Sequence, residues 1–382
     1  VTMRTLRIFR RAALSCVTVA IALGGSAGPV QAGPAGGALP ADGAAAAGQT
    51  TVAAITDRLA RRLASDLAAD ARRAGLFTAA ATGPVDLAGL AASPALSEAV
   101  QAANRAVLAA KGLAGAPTGT SLLQLRLAHP DMLAALRAGL PPLVAAAPTD
   151  DTATAVAGYD SAGATVLLDV ARIPQRPVFV VEVDTERALP LGLAVIRATL
   201  DAHGVHAAAP AAAPAVAPAA GYWATKVTAV RLRDDHEPWI KGAAEIFGIA
   251  GGFGLDGKAK ASTLTMPYLD HDNTTYYPNQ LIVHFSAYKY NLADFVMMED
   301  DGDTNYQALA IAITNALLTI VDGGAYIPLV NAILNAIPAS WWTDDPDYVD
   351  SWYTLATTSS GRLNGAAANG WMDVVPYWVQ EF

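Results

Sequence analysis

Clustered carboxylates are the residues of this chain whose types and spacing come closest to a site. Asp234-Asp235-His236-Glu237, Glu299-Asp300-Asp301-Gly302-Asp303-Thr304-Asn305 and Asp344-Asp345-Pro346-Asp347 with Asp350 each follow an apolar stretch, and Asp270 and Asp272 share a further loop. Calcium takes six to eight hard oxygen ligands, and short D-x-D spacings let alternate side chains converge on one ion. Asp301-x-Asp303-x-Asn305 reads as the opening of a calcium loop. It is no EF-hand, because Tyr306 stands where the turn glycine belongs and Ala312 where the closing Glu belongs. The residue types therefore predict a Ca2+ site built from Asp234, Asp235, Glu237, Glu245, Glu299, Asp300, Asp301, Asp303 and Asn305. The competing reading needs no metal: Asp303 and Thr304 sit where helix caps belong, and negative charge is favourable at a helix N-terminus. Either way, carboxylates this dense repel one another unless something positive screens them.

Other chemistry finds little support, and no catalytic or cofactor-binding residue is assigned. No H-E-x-x-H zinc motif occurs, and His203 and His206 have no obvious third ligand. Gly252-Phe253-Gly254-Leu255-Asp256-Gly257 matches G-x-G-x-x-G, and with Lys258 nearly a P-loop, but Ala259 replaces the Ser or Thr. Both motifs need a helix next, to present its N-terminus to phosphate, and residues 258–266 read as a turn and a strand. The single cysteine, Cys16, excludes a disulfide framework and a cysteine zinc site. A net charge of −9 with few Lys and Arg is a poor match to a phosphate backbone, which argues against nucleic acid as partner.

The elements that must position these residues fall into two parts. Arg4, Arg7, Arg10 and Arg11 precede a short apolar stretch and the small-residue sequence Val30-Gln31-Ala32. That pattern predicts a signal peptide over 1–32, cleaved near Ala32-Gly33, and hence a secreted, extracellular chain. The stretch 33–50 is Gly/Ala/Pro-rich and predicts disorder. Residues 51–206 predict an Ala-rich helical region: Val52, Ile55, Leu59, Leu63 and Leu67 form one helical face, and further helices are expected near 95–112, 131–140 and 190–202. Two strands, 165–170 and 178–184, make a small strand unit there. Residues 207–221 read as a Pro/Ala linker.

Beyond the linker lie all 7 Trp, and acids outnumber bases by more than two to one. This acidic, aromatic-rich segment, 222–382, carries short strands expected at 225–233, 243–250, 261–266, 279–287 and 293–298. Helices are expected at 306–321 and 327–337, and 371–379 reads as an edge strand because Pro376 cannot donate to a ladder. The fold class expected is α+β, a mainly helical N-terminal region followed by a C-terminal antiparallel β-sandwich with helical insertions.

The segment Asp234-Asp235-His236-Glu237-Pro238-Trp239-Ile240-Lys241-Gly242-Ala243-Ala244-Glu245-Ile246 resembles the core motif of an uncharacterised family of secreted bacterial proteins, domain of unknown function 3103. Met266-Pro267-Tyr268-Leu269, Tyr277-Pro278-Asn279-Gln280 and Met298 to Tyr306 are similar to its later motifs. The resemblance implies a secreted, two-part protein and no particular activity.

These readings converge on an extracellular binding or structural module with a calcium-stabilised acidic loop cluster and an unknown extracellular partner or glycan. Two alternatives stand beside it. One is a secreted glycan hydrolase with paired carboxylates, which needs a deep cleft beside the acids, lined by aromatics. The other is membrane insertion through the apolar hairpin 306–337, whose runs are each too short for a stable transmembrane span.

Overall fold

The computed structural model describes residues 51–66, 73–89, 93–149, 153–207, 221–234, 238–242, 244–300, 302–336 and 347–380. The expected signal peptide, the segment 33–50 and nearly all of the expected linker lie outside the described residues. Gly48–Phe382 packs as one compact unit.

Before position 207 the chain builds a six-stranded sheet where a small strand unit was expected. Its strands are β1 (Val85–Asp86), β2 (Leu123–Leu127), β3 (Leu143–Ala146), β4 (Ala155–Tyr159), β5 (Thr165–Asp169) and β6 (Val178–Val183). Their order is β1-β2-β6-β3-β4-β5, with β6 central, antiparallel to β2 and parallel to β3. The run V-F-V-V-E-V of β6 is buried throughout, as a strand covered on both faces requires.

Helix α1 (Val52–Asp66) lies over β3 and β6 and buries Val52, Ile55, Leu59 and Leu63, the face expected from their spacing. After α2 (Arg73–Ala80), helix α3 (Pro94–Ala110) is capped by the Ser93 side chain, with Pro94 at its first position. Helix α4 (Met132–Arg137) is a short turn between β2 and β3. Helix α5 (Thr185–Ala202) starts five residues before its expected beginning, because Asp184 accepts from the Arg187 N–H and caps it. Pro190 lies inside α5 rather than at its start.

After position 221 the chain makes two four-stranded sheets, antiparallel throughout. The first, ordered β10-β7-β14-β13, contains β7 (Gly221–Leu232), β10 (Gln280–His284), β13 (Gly361–Asn364) and β14 (Gly370–Gln380). The second, ordered β12-β11-β8-β9, contains β8 (Ile246–Phe253), β9 (Ala259–Thr265), β11 (Leu292–Glu299) and β12 (Asp347–Ala356). Val227, Val230, Met372 and Val374 of the first sheet share a core with Phe295, Met297 and Trp352 of the second, as in a β-sandwich. Strand β14 is not an edge strand, since β7 and β13 flank it. Its ladder to β13 ends at Val374, so at Pro376 only β7 lies beside it and the missing N–H is tolerated.

Strands β8 and β11 are buried on both faces. Phe295 and Met297 face the sandwich core, whereas Val296 and Met298 join a second core with the N-terminal elements. That core also takes Leu193 and Ile196 of α5 and Leu309 and Ile313 of helix α6 (Tyr306–Thr319). The two sides of the expected linker therefore share one core. Helix α7 (Val330–Ala336) packs on α6. The expected hairpin 306–337 is thus a pair of short helices with one buried side, and among the described residues no helix is long and apolar enough to cross a membrane.

A charged cleft between the sheet and the loop after β7

The structure describes six of the nine residues of the expected calcium site. Asp300 is fully buried, and its charge is met by Lys111, the residue that ends α3: Nζ lies 3.3 Å from Asp300 Oδ1 and donates to the Gly302 carbonyl at 2.7 Å. Thr304 Oγ1 donates to Asp300 Oδ1 at 2.5 Å, and the Tyr306 hydroxyl donates to Oδ2. Lys111 Nζ also sits 4.9 Å from the centroid of the Tyr306 ring. The positive screen that the acidic run requires is, at Asp300, a side chain from 189 residues upstream.

Asn305 is the N-cap of α6, its Oδ1 accepting from the Ala308 N–H at 2.9 Å, while Nδ2 donates to the Ala110 carbonyl. The cap falls on Asn305 rather than on Asp303 or Thr304. Asp303 is half-buried and Asp234 is exposed, the latter tied through its backbone to the Asn369 side chain. Glu299 is fully buried at the end of β11, in register with Ile246 and Asp347. Glu245 is half-buried, and its carbonyl accepts from the Asp300 N–H. Asp235, Glu237 and Asp301 lie outside the described residues. Asp350, from the third acidic cluster, is a structural latch: Oδ1 accepts from the Ser351 and Ala367 N–H groups and Oδ2 from those of Asn369 and Gly370. Among the described residues no group of three or more His, Cys, Asp or Glu side chains is placed to hold a metal ion.

The structure instead gathers charge in a cleft of about 440 Å³. Its floor is the polar stripe of the six-stranded sheet. Gln124 and Arg126 alternate with leucines on β2, and Glu182 stands opposite Gln124 on β6. Glu182 Oε1 accepts from Arg126 Nε at 2.7 Å and from Gln124 Nε2 at 3.0 Å. The first turn of α5 lines one side with Asp184, Glu186 and Arg187. Arg187 is held by Asp86 at 3.0 Å and by Asp184 at 3.3 Å, and these partners raise its already high pKa.

The other side of the cleft is the loop after β7. Trp239 Nε1 donates to the Asp169 carbonyl at 3.2 Å, and the Ile240 carbonyl accepts from Arg126 NH2 at 2.9 Å. These two bonds seat Pro238–Gly242 on the sheet and bring Lys241, Gly242 and Glu245 into the lining, with Asp300 and Gly302 below. The cleft therefore unites two of the expected ligands, Glu245 and Asp300, with residues that belong to no acidic cluster, Arg126 and Glu182. Their signal was present: Arg126 and Glu182 are charges within strands whose neighbours are Leu and Val.

Such a site has charged hydrogen-bonding groups on fixed strands and a helix N-terminus, and enough volume for a small molecule. Among the described residues no aromatic side chain lines it, so they offer a sugar ring no stacking platform here.

Residues 58–382 match the family model described as Protein of unknown function (DUF3103), and the chain belongs to that family. No curated protein and no solved structure matches it.

Proposed function

We propose that this family member is an exported binding protein that takes a small polar ligand in the charged cleft. The observation that carries the reading is the seating of Pro238–Gly242 on the six-stranded sheet, through Trp239 on β5 and Arg126 on β2. A loop pinned to the sheet at two consecutive residues beside a cavity with buried charges is a pre-organised site, which is what affinity for a small polar molecule demands. The positively charged, then apolar, then small-residue N-terminal sequence supports export. Calcium has no part in this reading, since Lys111 is the cation that faces Asp300.

The test uses the full chain and a panel of sugars, amino acids, organic acids and diamines in thermal-shift assays, with Gly242→Trp as the blocked variant. Gly242 lines the cleft and is exposed, and a Cβ there meets nothing nearer than Arg126 NH2 at 3.8 Å, so the backbone accepts a substitution at the cleft wall. A ligand at one hundred times its Kd stabilises by about 2.7 kcal/mol. At least one compound should raise the wild-type melting temperature and lose that effect in Gly242→Trp. If every compound acts alike on both proteins, the cleft is not the ligand site.

The second reading, glycan hydrolysis, is favoured by Glu182 and Glu245 sharing one cleft. Release of reducing ends from a polysaccharide by the wild type, abolished in Glu182→Gln, would make the cleft catalytic. The bare lining noted above speaks for binding.

A further inference from the structure

Resting on the cleft as ligand site, we infer that the ligand is an N–H-bearing organic cation, an alkylammonium or guanidinium group, received by Oε2 of Glu182. The carboxylate is asymmetrically used. Both of its hydrogen bonds within the protein fall on Oε1, from Gln124 and Arg126, and among the described residues Oε2 accepts none. Glu182 is only 8 % exposed. Oε2 is not sealed from solvent and opens to the cleft, so a charged N–H donor that enters there can make a charge-assisted hydrogen bond to it. Four of the five Arg126 N–H groups are engaged elsewhere: Nε on Oε1, NH1 on the Leu127 and Ala128 carbonyls, and NH2 on the Ile240 carbonyl.

Charge points the same way. Glu182, Asp184, Glu186, Glu245 and Asp300 line the cleft against Arg126, Arg187 and Lys241. Bringing in Lys111 beside Asp300 and Asp86 beside Arg187 leaves the acids in excess. A surplus of negative charge around an open carboxylate oxygen selects a cation. The size of the cavity, about 440 Å³, suits an organic molecule rather than a bare ion, and the described residues form no three-carboxylate cage for a metal. Quaternary ammonium is excluded by the same lining, because such ions need aromatic faces and offer no N–H to Oε2.

The experiment is calorimetric titration of the full chain with four probes: 1,5-diaminopentane, Nα-acetyl-lysine amide, its Nε-trimethyl form, and acetate. The expected result is binding of at least one of the two primary amines, with at least tenfold weaker binding of the trimethyl form and none of acetate. The better amine tells a free diamine from a basic side chain of a polypeptide. Glu182→Gln keeps the shape and an acceptor for Arg126 but presents an amide in place of Oε2, and it should weaken amine binding at least tenfold. Should that variant not fold, the trimethyl comparison and Gly242→Trp still decide. No binding of either amine, or equal binding by wild type and Glu182→Gln, overturns the proposal. Acetate binding that Gly242→Trp blocks, with no amine binding, overturns the cation while the cleft reading stands. Amine binding that Gly242→Trp leaves intact overturns both.

Discussion

Lys111 Nζ and Asp300 Oδ1 lie 3.3 Å apart with both side chains fully buried, a pair that joins the end of α3 to the loop before α6. Desolvating two charges is expensive, and the pair is tolerated because further hydrogen bonds support it: the Gly302 carbonyl accepts from Lys111, and Thr304 Oγ1 and the Tyr306 hydroxyl donate to Asp300. Tyr306 is itself locked against Gly192 of α5, where an added Cβ would fall inside its ring at 2.2 Å. One ion pair thus holds together α3, α5, α6 and the wall of the cleft.

Removing one partner of this pair exposes the other to an uncompensated interior. Lys111→Met should lower the unfolding free energy by about 3–5 kcal/mol in urea titration. Lys111→Met with Asp300→Leu should cost less than the sum of the single changes, because no naked charge remains. A loss below about 1 kcal/mol in Lys111→Met would show that the pair contributes little.

If Lys111 is the only cation Asp300 needs, calcium has no hold on it. Asp300→Asn should lower the melting temperature by the same amount in EDTA and in about 10 mM calcium, a concentration that fills extracellular-type sites. A loss seen only with calcium present would restore Asp300 as a metal ligand.

The periodicity of the sequence carries much of the sandwich, because strands such as β7 and β11 are long, β-branched or aromatic, and bounded by polar loops. The N-terminal sheet was harder to see. Strand β3 reads L-V-A-A, too short and alanine-rich to stand out, and β2 lies between a Gly/Pro-rich segment and a helix. Pro190 mimicked the start of α5 because a helix beginning at Pro is the commoner pattern. The acidic loops were legible, but their partners were not. Lys111 sits in A-A-K-G-L with no local sign of a distant acid, and Arg126 and Glu182 meet only because β2 and β6 are neighbours. A single chain shows where charges lie along it; sheet order decides which of them face one another.

Asp350 takes four backbone N–H groups, three of them from the 365–370 turn that joins β13 to β14. Gly365 packs so closely that a Cβ there would lie 2.0 Å from the carboxylate carbon. Asp350→Ala leaves buried donors unmet and should cost at least about 3 kcal/mol. Amide exchange should rise first at Ala367, Asn369 and Gly370. Unchanged protection at those three amides would show that the turn holds itself.

The last prediction concerns pH. Asp322 is held down to about 2 from an ordinary 3.8, first by the Lys289 ammonium at 2.6 Å, then by the Tyr290 hydroxyl at 2.7 Å and the Gly324 N–H at 2.9 Å. A carboxylate whose folded pKa lies below its unfolded value binds fewer protons folded than unfolded across that interval. Its stabilisation is complete above the unfolded value of 3.8 and is lost as pH falls through about 2. Melting temperature followed from pH 5 downward should therefore fall less steeply in Asp322→Asn than in the wild type over this window. Lys289→Met removes the principal cause, moves the Asp322 pKa back toward its ordinary value, and should flatten the same segment of the curve in part. Curves that run parallel in all three proteins would mean that the ion pair beside Val321 adds nothing to acid stability.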